Sequence, residues 1–207
     1  YNPFKNYTWG TIIDPATGRV QGDATSAWNE SWMDAIQRDN AFRHEHQLSV
    51  NGGTEKTKYM FSLGYLNEDG ILINTGFQRY NARANINTEV NKWMKTGLNV
   101  SNSTQNFSDY EGSSNSNVWY SAQFMAPIYP VYIKGEDGKD VLDADGNRQL
   151  DYGDGSVQRP QYSDFNPVGG LVDDKADIKT DVAGLRTFLA FGSDSEDAGW
   201  AKGIKLT

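Results

Sequence analysis

The 207-residue chain contains no cysteine, two histidines and no long apolar run. Without cysteine there is no disulfide framework, thiolate metal site or thiol nucleophile. A membrane-spanning helix needs about 18 or more consecutive apolar residues, and no such run occurs. Transmembrane β-strands are shorter segments of alternating hydrophobicity, so these absences exclude a helical membrane anchor but not a β-barrel.

Basic residues and aliphatic side chains are also scarce. The chain has 27 acidic and 19 basic residues, which gives a formal net charge of -8. A nucleic-acid partner needs a basic surface that neutralises phosphates, so nucleic acid is excluded as the main partner. Only 37% of the residues are hydrophobic, yet 13% are aromatic. This balance favours long β-strands with one polar face over a helical core.

Apolar and polar residues alternate in three segments between residues 58 and 101, which predicts strands with one apolar face each. None of the apolar positions is charged. Alternation alone is equally typical of a soluble sandwich and of a membrane barrel. The predicted apolar positions are Tyr59, Phe61, Leu63 and Tyr65, then Tyr80, Ala82, Ala84, Ile86, Thr88 and Val90, then Met94, Thr96, Leu98 and Val100.

The spacing of the connections favours the barrel. Tight turns, "NGGTEK" and "NK", alternate with a longer connection, "NEDGILINTG", and with a very long one. Short periplasmic turns and long external loops are typical of outer-membrane barrels. We therefore expect an all-β fold, a segment of a transmembrane antiparallel β-barrel with six or seven strands of a larger barrel. The predicted organisation is strand, loop and helix over 1–45, barrel strands over 46–103, an extracellular loop over 104–180, and further, truncated barrel strands over 181–207.

One short amphipathic helix is predicted at residues 26–40. Ser26 is the predicted N-cap, and apolar residues then recur on one side of the helix. The expected role of this stripe is to pack on the rest of the protein. The alternative is a ligand-binding tryptophan pair. The stripe consists of Trp28, Trp32, Met33 and Ile36.

The run "HQLSVNGGTEKTKYMFSLGYLNEDGILINTGFQRYNARANINTEVNKWMKTGLNVS" resembles the barrel region that follows the plug in SusC/RagA-type TonB-dependent outer-membrane transporters of Bacteroidota. The helix segment "SWMDAIQRDN" and the downstream "APIYPVY" and "DADGN" are also similar to that family. The resemblance covers nearly the whole chain and is strongest over residues 40–103. The plug, the energy-coupling box and most of the strands are absent from this sequence.

The resemblance implies import of glycan or peptide nutrients across the outer membrane of a Gram-negative cell. The implied partners are a SusD-like surface lipoprotein, the TonB complex and outer-membrane lipid. No enzymatic activity and no cofactor are implied. The apolar faces would meet lipid, with Tyr59 and Tyr65 near opposite edges of the apolar band. The opposite face would line the lumen and contact either the plug and water or the substrate, through Lys58, Asn81, Arg83, Asn85, Asn87 and Lys95.

Two sequence features suggest metal binding, and each has a simpler explanation. The acidic residues Asp143, Asp145, Asn147, Asp151 and Asp154 match ligand positions of a calcium loop, but the glycine required at its sixth position is replaced by arginine. An eight-residue repeat, "DGKDVLD" and "DGNRQLD", is instead expected to form tight turns.

The two histidines, His44 and His46, share one strand face and have no obvious third ligand nearby, so the prediction is that they are polar anchors at the rim. No nucleophile elbow and no phosphate-binding loop occurs.

The segment Asn117 to Tyr132 concentrates aromatic residues within the long connection. An external loop held by its own side chains would account for them. Contact with substrate or with the lipoprotein lid is the functional alternative, because aromatics are enriched at interfaces. The alternative for the whole chain is a soluble, aromatic-rich β-sandwich that binds carbohydrate. The candidate contact residues are Trp119, Tyr120, Phe124, Tyr129 and Tyr132.

Overall fold

The computed structural model of the chain describes residues 3–8, 10–110, 117–153, 159 and 162–192. In chain order its helices are α1 Trp32–Ile36, α2 Val118–Phe124 and α3 Pro167–Asp173. Its strands are β1 Arg43–Gly53, β2 Thr57–Asp69, β3 Gly76–Asn91, β4 Met94–Tyr110 and β5 Lys175–Phe191.

The five strands form one open sheet in the order β1-β2-β3-β4-β5. The pairings of β1 with β2, β2 with β3 and β3 with β4 are antiparallel. The predicted all-β fold is confirmed. Of the six or seven strands predicted, five occur in the described residues, and the predicted strand start at 200–207 lies outside them.

The strands are longer than the sequence pattern predicted. The long connection covers 111–174, not 104–180, because β4 continues through Tyr110 and β5 begins at Lys175. Polar side chains join this added length: the Thr104 hydroxyl donates to Asp181 Oδ1 at 2.6 Å, and the Ser108 hydroxyl donates to Asp177 Oδ1 at 2.7 Å. A rule based on apolar alternation misses strand ends that are joined by backbone and polar side-chain hydrogen bonds.

The chain divides into two compact units. The sheet unit comprises Ala41–Asp69, Gly76–Ser108 and Asp177–Thr207. The loop unit comprises three separate segments, Tyr1–Asn40, Gly70–Thr75 and Asp109–Ala176.

The helix predicted at 26–40 is much shorter than expected. Ser31, not Ser26, is the N-cap, and its side chain accepts a hydrogen bond from the Asp34 amide. The backbone is extended again at Gln37, which bridges Leu72, and the Arg38 amide donates to the Ile71 carbonyl at 2.8 Å. These pairings with a segment more than 30 residues away end the helix, because they satisfy the backbone groups that another helical turn would use.

Helix α1 lies in the hydrophobic core of the loop unit, as expected for its apolar stripe. Trp32 and Ile36 are buried, and Met33 packs against the core. The Trp32 indole N–H donates to the Tyr129 carbonyl at 3.1 Å. Trp28 lies outside the helix. The other buried members of this core are Val118, Ala122, Met125, Val131, Val168 and Leu171.

Candidate functional site

One face of the sheet is apolar across all five strands, and its large side chains are exposed. The register pairs Leu48 with Leu63 and Leu63 with Ala82, so these side chains share that face. The exposed fractions of Leu48, Leu63 and Leu185 are 65%, 59% and 73%. On β5, Phe188 approaches Gly97 on the opposite face, which by alternation leaves Leu185 on the apolar one. The apolar positions predicted separately on β2, β3 and β4 therefore share one face.

Aromatic rings gather toward one end of this face. The ring centroids of Tyr65 and Tyr80 lie 4.9 Å apart, and those of His44 and Tyr65 lie 5.5 Å apart. Phe42 and His46 each lie 5.4 Å from His44. We call these five residues the aromatic rim.

Toward the other end of the sheet, Tyr59 lies 5.9 Å from Phe61. In the turn before β4, Trp93 stacks on Phe191 at 6.1 Å. Aromatic side chains therefore stand at both ends of the apolar face, with aliphatic residues between them.

The opposite face is polar and carries the six residues predicted to line a lumen. The register pairs Lys58 with Asn87, Arg83 with Ser62 and Ser101, and Asn85 with Asn99, so these side chains share a face. Asn81 lies opposite Gly64 on the same face. Lys95 Nζ lies 2.5 Å from Glu89 Oε1. The structure thus brings all six candidates onto one polar surface, which is called the polar face below.

Four charged residues form a cluster at one part of the polar face. Arg43 contacts Glu45 at 3.2 Å and Glu68 at 3.0 Å. Arg79 lies 3.7 Å from Glu45. Next to them is a cleft of about 170 Å³, which is lined by Glu45, Gln47, Ser62, Gly64, Arg79, Asn81 and Arg83.

The five aromatic residues predicted to contact substrate or lid fall into two groups. Trp119, Tyr120 and Phe124 are exposed on α2, and the rings of Tyr120 and Phe124 lie 4.5 Å apart. Tyr129 and Tyr132 instead pack against the core of the loop unit. The N-cap Asn117 accepts the Tyr120 amide at 3.0 Å and thereby starts the helix. The exposed aromatic surface of α2 consists of Trp119, Tyr120 and Phe124.

An ion-paired lysine ties the first segment of the loop unit to the last. Lys134 Nζ lies 2.7 Å from Glu30 Oε1 and 2.7 Å from Asp140 Oδ1. Burial alone lowers the pKa of Lys134, but the hydrogen bonds to Asp140 and Glu30 outweigh it and hold the pKa above its usual value. The second Glu30 oxygen accepts the Val131 amide at 2.8 Å. Lys134 therefore remains charged and holds these segments together.

The acidic repeat forms turns, as predicted. Gly138 and Gly146 have φ values of 76° and 85°, a backbone region that favours glycine. Asp143 Oδ1 accepts the amides of Asp145 and Asn147, and Asp143 Oδ2 accepts the Asn147 side chain. These donors hold the pKa of Asp143 below its usual value, the Asn147 amide being the largest cause. Both carboxylate oxygens of Asp143 are thus used within the turn. Asp154, the last residue of the calcium-loop pattern, lies outside the described residues.

No cluster of three metal-binding side chains is found among the described residues. Likewise, no helix in the described part of the chain is both long and apolar enough to cross a membrane. His44 and His46 share the apolar face, since His46 pairs with Tyr65. They belong to the aromatic rim, and their role as polar anchors at the outer edge of a barrel stays a prediction.

Sequence reasoning missed the polar residues at the centre of the loop unit. The fully buried Asn166 caps α3 by accepting the Val168 and Gly169 amides, and its own amide donates to the carbonyls of Val131 and Asp151, both at 2.9 Å. Arg159 is 3% exposed, and its guanidinium donates to the Asp151 and Phe165 carbonyls. The "NP" dipeptide at 166–167 was the available signal, since proline often follows a helix cap.

Comparison with known proteins finds partial matches to TonB-dependent receptors. The chain is 35% identical over 81 residues to TonB-dependent receptor P3 of Formosa agariphila, which covers 39% of this chain. It is 33% identical over 86 residues to TonB-dependent receptor SusC of Bacteroides thetaiotaomicron, which covers 42% of this chain. Each match spans 8% of the relative's own length. No family model matches the chain.

Solved structures of RagAB show the same fold. The RagAB peptide importer in its closed-closed state matches with a TM-score of 0.54 and 20% identity, over 79% of this chain and 17% of that one. A second structure, of the RagAB peptide transporter, gives a TM-score of 0.55 at 19% identity. The resemblance to SusC/RagA-type proteins is therefore confirmed. The sequence matches cover part of the chain, and the match in fold covers most of it.

Proposed function

We propose that this chain is a segment of a TonB-dependent outer-membrane transporter, in which its five strands form one arc of a transmembrane β-barrel. The observation that carries the proposal is the continuous apolar face, which the rest of the sheet unit leaves uncovered in the described residues. Aromatic side chains at both ends of that face fit the two interfacial girdles of such barrels. The polar face would then line the lumen.

The energetics favour lipid as the medium at this face. Each large apolar side chain exposed to water forgoes about 1.5–3 kcal/mol of burial free energy. Soluble monomers rarely expose contiguous apolar patches larger than a few hundred Å². A soluble carbohydrate-binding sandwich would cover the face with a second sheet, whereas the described residues form a single five-stranded sheet. The sandwich alternative therefore lacks its second layer.

The strand lengths also fit a barrel. About 9–11 residues of a tilted strand cross the hydrocarbon core. Strands β2 to β5 have 13 to 17 residues and thus extend beyond it. The polar contacts of Thr104 with Asp181 and of Ser108 with Asp177 suit the part of β4 and β5 that stands outside the membrane.

We further propose that the intact protein imports oligosaccharides or peptides with a SusD-like surface lipoprotein and TonB, in the outer membrane of a Bacteroidota-like cell. The similar proteins are named TonB-dependent receptors and a peptide importer, which supports capture and passage of a ligand without covalent chemistry. The exposed aromatic surface of α2 is the proposed contact for the ligand or the lipoprotein, because its three rings are exposed.

Membrane fractionation and nutrient uptake test this function. The intact protein that contains this chain would be deleted from its host and then restored on a plasmid. We expect the protein in the outer-membrane fraction, and we expect deletion to abolish growth on either an oligosaccharide mixture or a peptide mixture as sole nutrient. Recovery in a soluble fraction, or unchanged growth on both mixtures after deletion, would contradict the proposal.

A further inference from the structure

In and around the cleft on the polar face, positive side chains outnumber negative ones. The one carboxylate of the cleft, Glu45, is already held by Arg43 at 3.2 Å and faces Arg79 at 3.7 Å. Arg43 is in turn paired with Glu68 at 3.0 Å. Two carboxylates therefore offset two guanidiniums. Arg83 adds a third positive charge, and no ion pair or side-chain hydrogen bond to Arg83 occurs within the described part of the chain.

Arg79 supplies a further unused donor. Its Nε atom is buried and has no hydrogen-bond partner among the described residues. A buried N–H without an acceptor costs about 1–3 kcal/mol, so such donors in folded proteins usually have a partner. The Arg79 Nη2 atom lies 3.7 Å from Glu45 Oε1, which is too long for a strong charge-assisted hydrogen bond. The Arg79 side chain as a whole is 34% exposed, so its terminal N–H groups can donate to another oxygen ligand.

The other residues of the cleft are neutral and leave space. Arg83 lies opposite Ser62, and Asn81 lies opposite Gly64. Gly64 adds no side chain beside the Asn81 amide, which a Cβ atom there would approach to 3.6 Å. The resulting volume of about 170 Å³ is below the range of about 300–1,000 Å³ typical of pockets that enclose a drug-sized ligand. The cleft thus fits one polar group at the end of a larger molecule.

We propose that this cleft binds a carboxylate of the ligand that passes along the polar face, with Arg83 as its main contact and Arg79 as the second. Arginine is suited to this role because its planar fork of N–H donors matches a carboxylate in two parallel hydrogen bonds. The inference rests on the proposed function, which makes the polar face the wall of the lumen. It adds a substrate class: ligands with a free carboxylate, either the C-terminus of a peptide or a uronic acid in an oligosaccharide.

Matched pairs of probes distinguish three outcomes: a preference for a peptide carboxylate, a preference for a sugar carboxylate, and no preference for a carboxylate. Binding to the purified intact protein in detergent would be measured for penta-alanine and its C-terminal amide, and for trigalacturonate and its methyl ester. The wild-type protein is expected to bind one of the free acids at least about tenfold more tightly than its neutral partner, as one charge-assisted hydrogen bond allows. Preference within the peptide pair or within the sugar pair identifies the source.

Variants assign the preference to the cleft. Arg83→Gln should abolish the preference for the acid and leave binding of the neutral partner unchanged. Arg83→Lys, which keeps the charge but not the fork, should retain part of it. Lys56→Gln removes a positive charge from the exposed turn before β2, outside the cleft, and should leave the preference intact. If Arg83→Gln fails to fold, Arg83→Lys still tests the role of Arg83. The ratio of acid to neutral affinity in the wild-type protein still tests the preference itself.

Three results would overturn the inference. The first is equal wild-type binding of acid and neutral partner in both pairs. The second is a preference that Arg83→Gln leaves intact or that Lys56→Gln removes equally. The third is a drop in thermal stability of Arg83→Gln with an unchanged preference, which would assign Arg83 to a carboxylate of its own protein. An outer-membrane location with any of these results leaves the proposed function standing, whereas recovery in a soluble fraction removes both.

Discussion

Tyr65 and Tyr80 face each other across the β2–β3 pair, with their ring centroids 4.9 Å apart and tilted by 37°. Aromatic pairs in this geometry contribute about 0.5–1.5 kcal/mol beyond the area they bury. At a membrane interface such rings also anchor a strand at a defined depth. The pair therefore connects the packing of the sheet to the position of the proposed bilayer.

Replacing Tyr65 should weaken the sheet through loss of its ring. We expect Tyr65→Ala to lower the unfolding free energy of the intact protein in lipid vesicles by about 1–2 kcal/mol, measured by urea titration of tryptophan fluorescence. Tyr65→Phe keeps the ring contacts and is the matched control. Equal stability of the two variants would show that the ring contributes nothing.

Loss of the Asn166 side chain should unfold the loop unit selectively. Asn166→Ala removes two donated and two accepted hydrogen bonds at a fully buried site. We expect a loss of about 2–4 kcal/mol, because a lost helix cap and unsatisfied buried backbone groups both contribute. Limited proteolysis should then cut within 117–174 while the sheet strands stay protected. The exposed Gln123→Ala variant should behave like the wild type, and a similar cleavage rate in both variants would contradict the role of Asn166.

The turn at Asp143 should lose stability as the pH falls. Hydrogen bonds from the Asn147 amide and its neighbours place the pKa of Asp143 below the ordinary value of 3.8. A lowered folded-state pKa means that the stabilisation is complete above 3.8 and is lost as the pH falls through the lower folded value.

In Gly146→Ala the positive φ of 85° is disfavoured, so the turn should open and the Asp143 pKa should move back toward 3.8. Carbon-13 NMR of the carboxyl group measures this pKa. An unchanged titration in Gly146→Ala would contradict the account.

The exposed aromatic surface of α2 should affect binding without affecting stability. In Tyr120→Ala combined with Phe124→Ala, two rings that are more than half exposed are lost, so the melting temperature should change little. Ligand uptake or capture of the surface lipoprotein should fall by about tenfold or more if these rings are the contact. Tyr129→Ala is the contrasting control, since that ring packs on the core and its loss should lower the melting temperature. Unchanged uptake and unchanged capture would remove α2 from the contact surface.

Much of the sheet could be predicted from sequence because its rule is local. Alternation places Phe61, Leu63 and Ala82 on one face wherever the partner strands lie, and the register confirms it. The "DG" turns were equally local, since Gly138 and Gly146 supply the positive φ that such turns need. Alternation alone left the solvent at each face undecided, and the spacing of the connections and the resemblance to transporters supplied the prediction that the apolar face meets lipid.

The loop unit could not be predicted in the same way because distant contacts determine it. The helix predicted at 26–40 ends at Ile36, where the next residue bridges Leu72. Asn166 acts through carbonyls 15 and 35 residues away, and a single asparagine has no periodicity to reveal it. The sequence of 117–132 identifies five aromatic candidates by residue type alone. The structure separates exposed Tyr120 from Tyr129, which lies against the core.

Depth-dependent quenching at two adjacent positions of β2 tests the central claim most directly. The chain contains no cysteine, so Leu63→Cys and Ser62→Cys would each carry one bimane label in this segment of the intact protein in vesicles. Leu63 lies on the apolar face and Ser62 on the polar face. We expect lipids with brominated acyl chains to quench the label at 63 strongly, and aqueous iodide to quench only the label at 62. Iodide quenching at both positions without quenching by brominated lipid would contradict the claim that the apolar face meets the membrane.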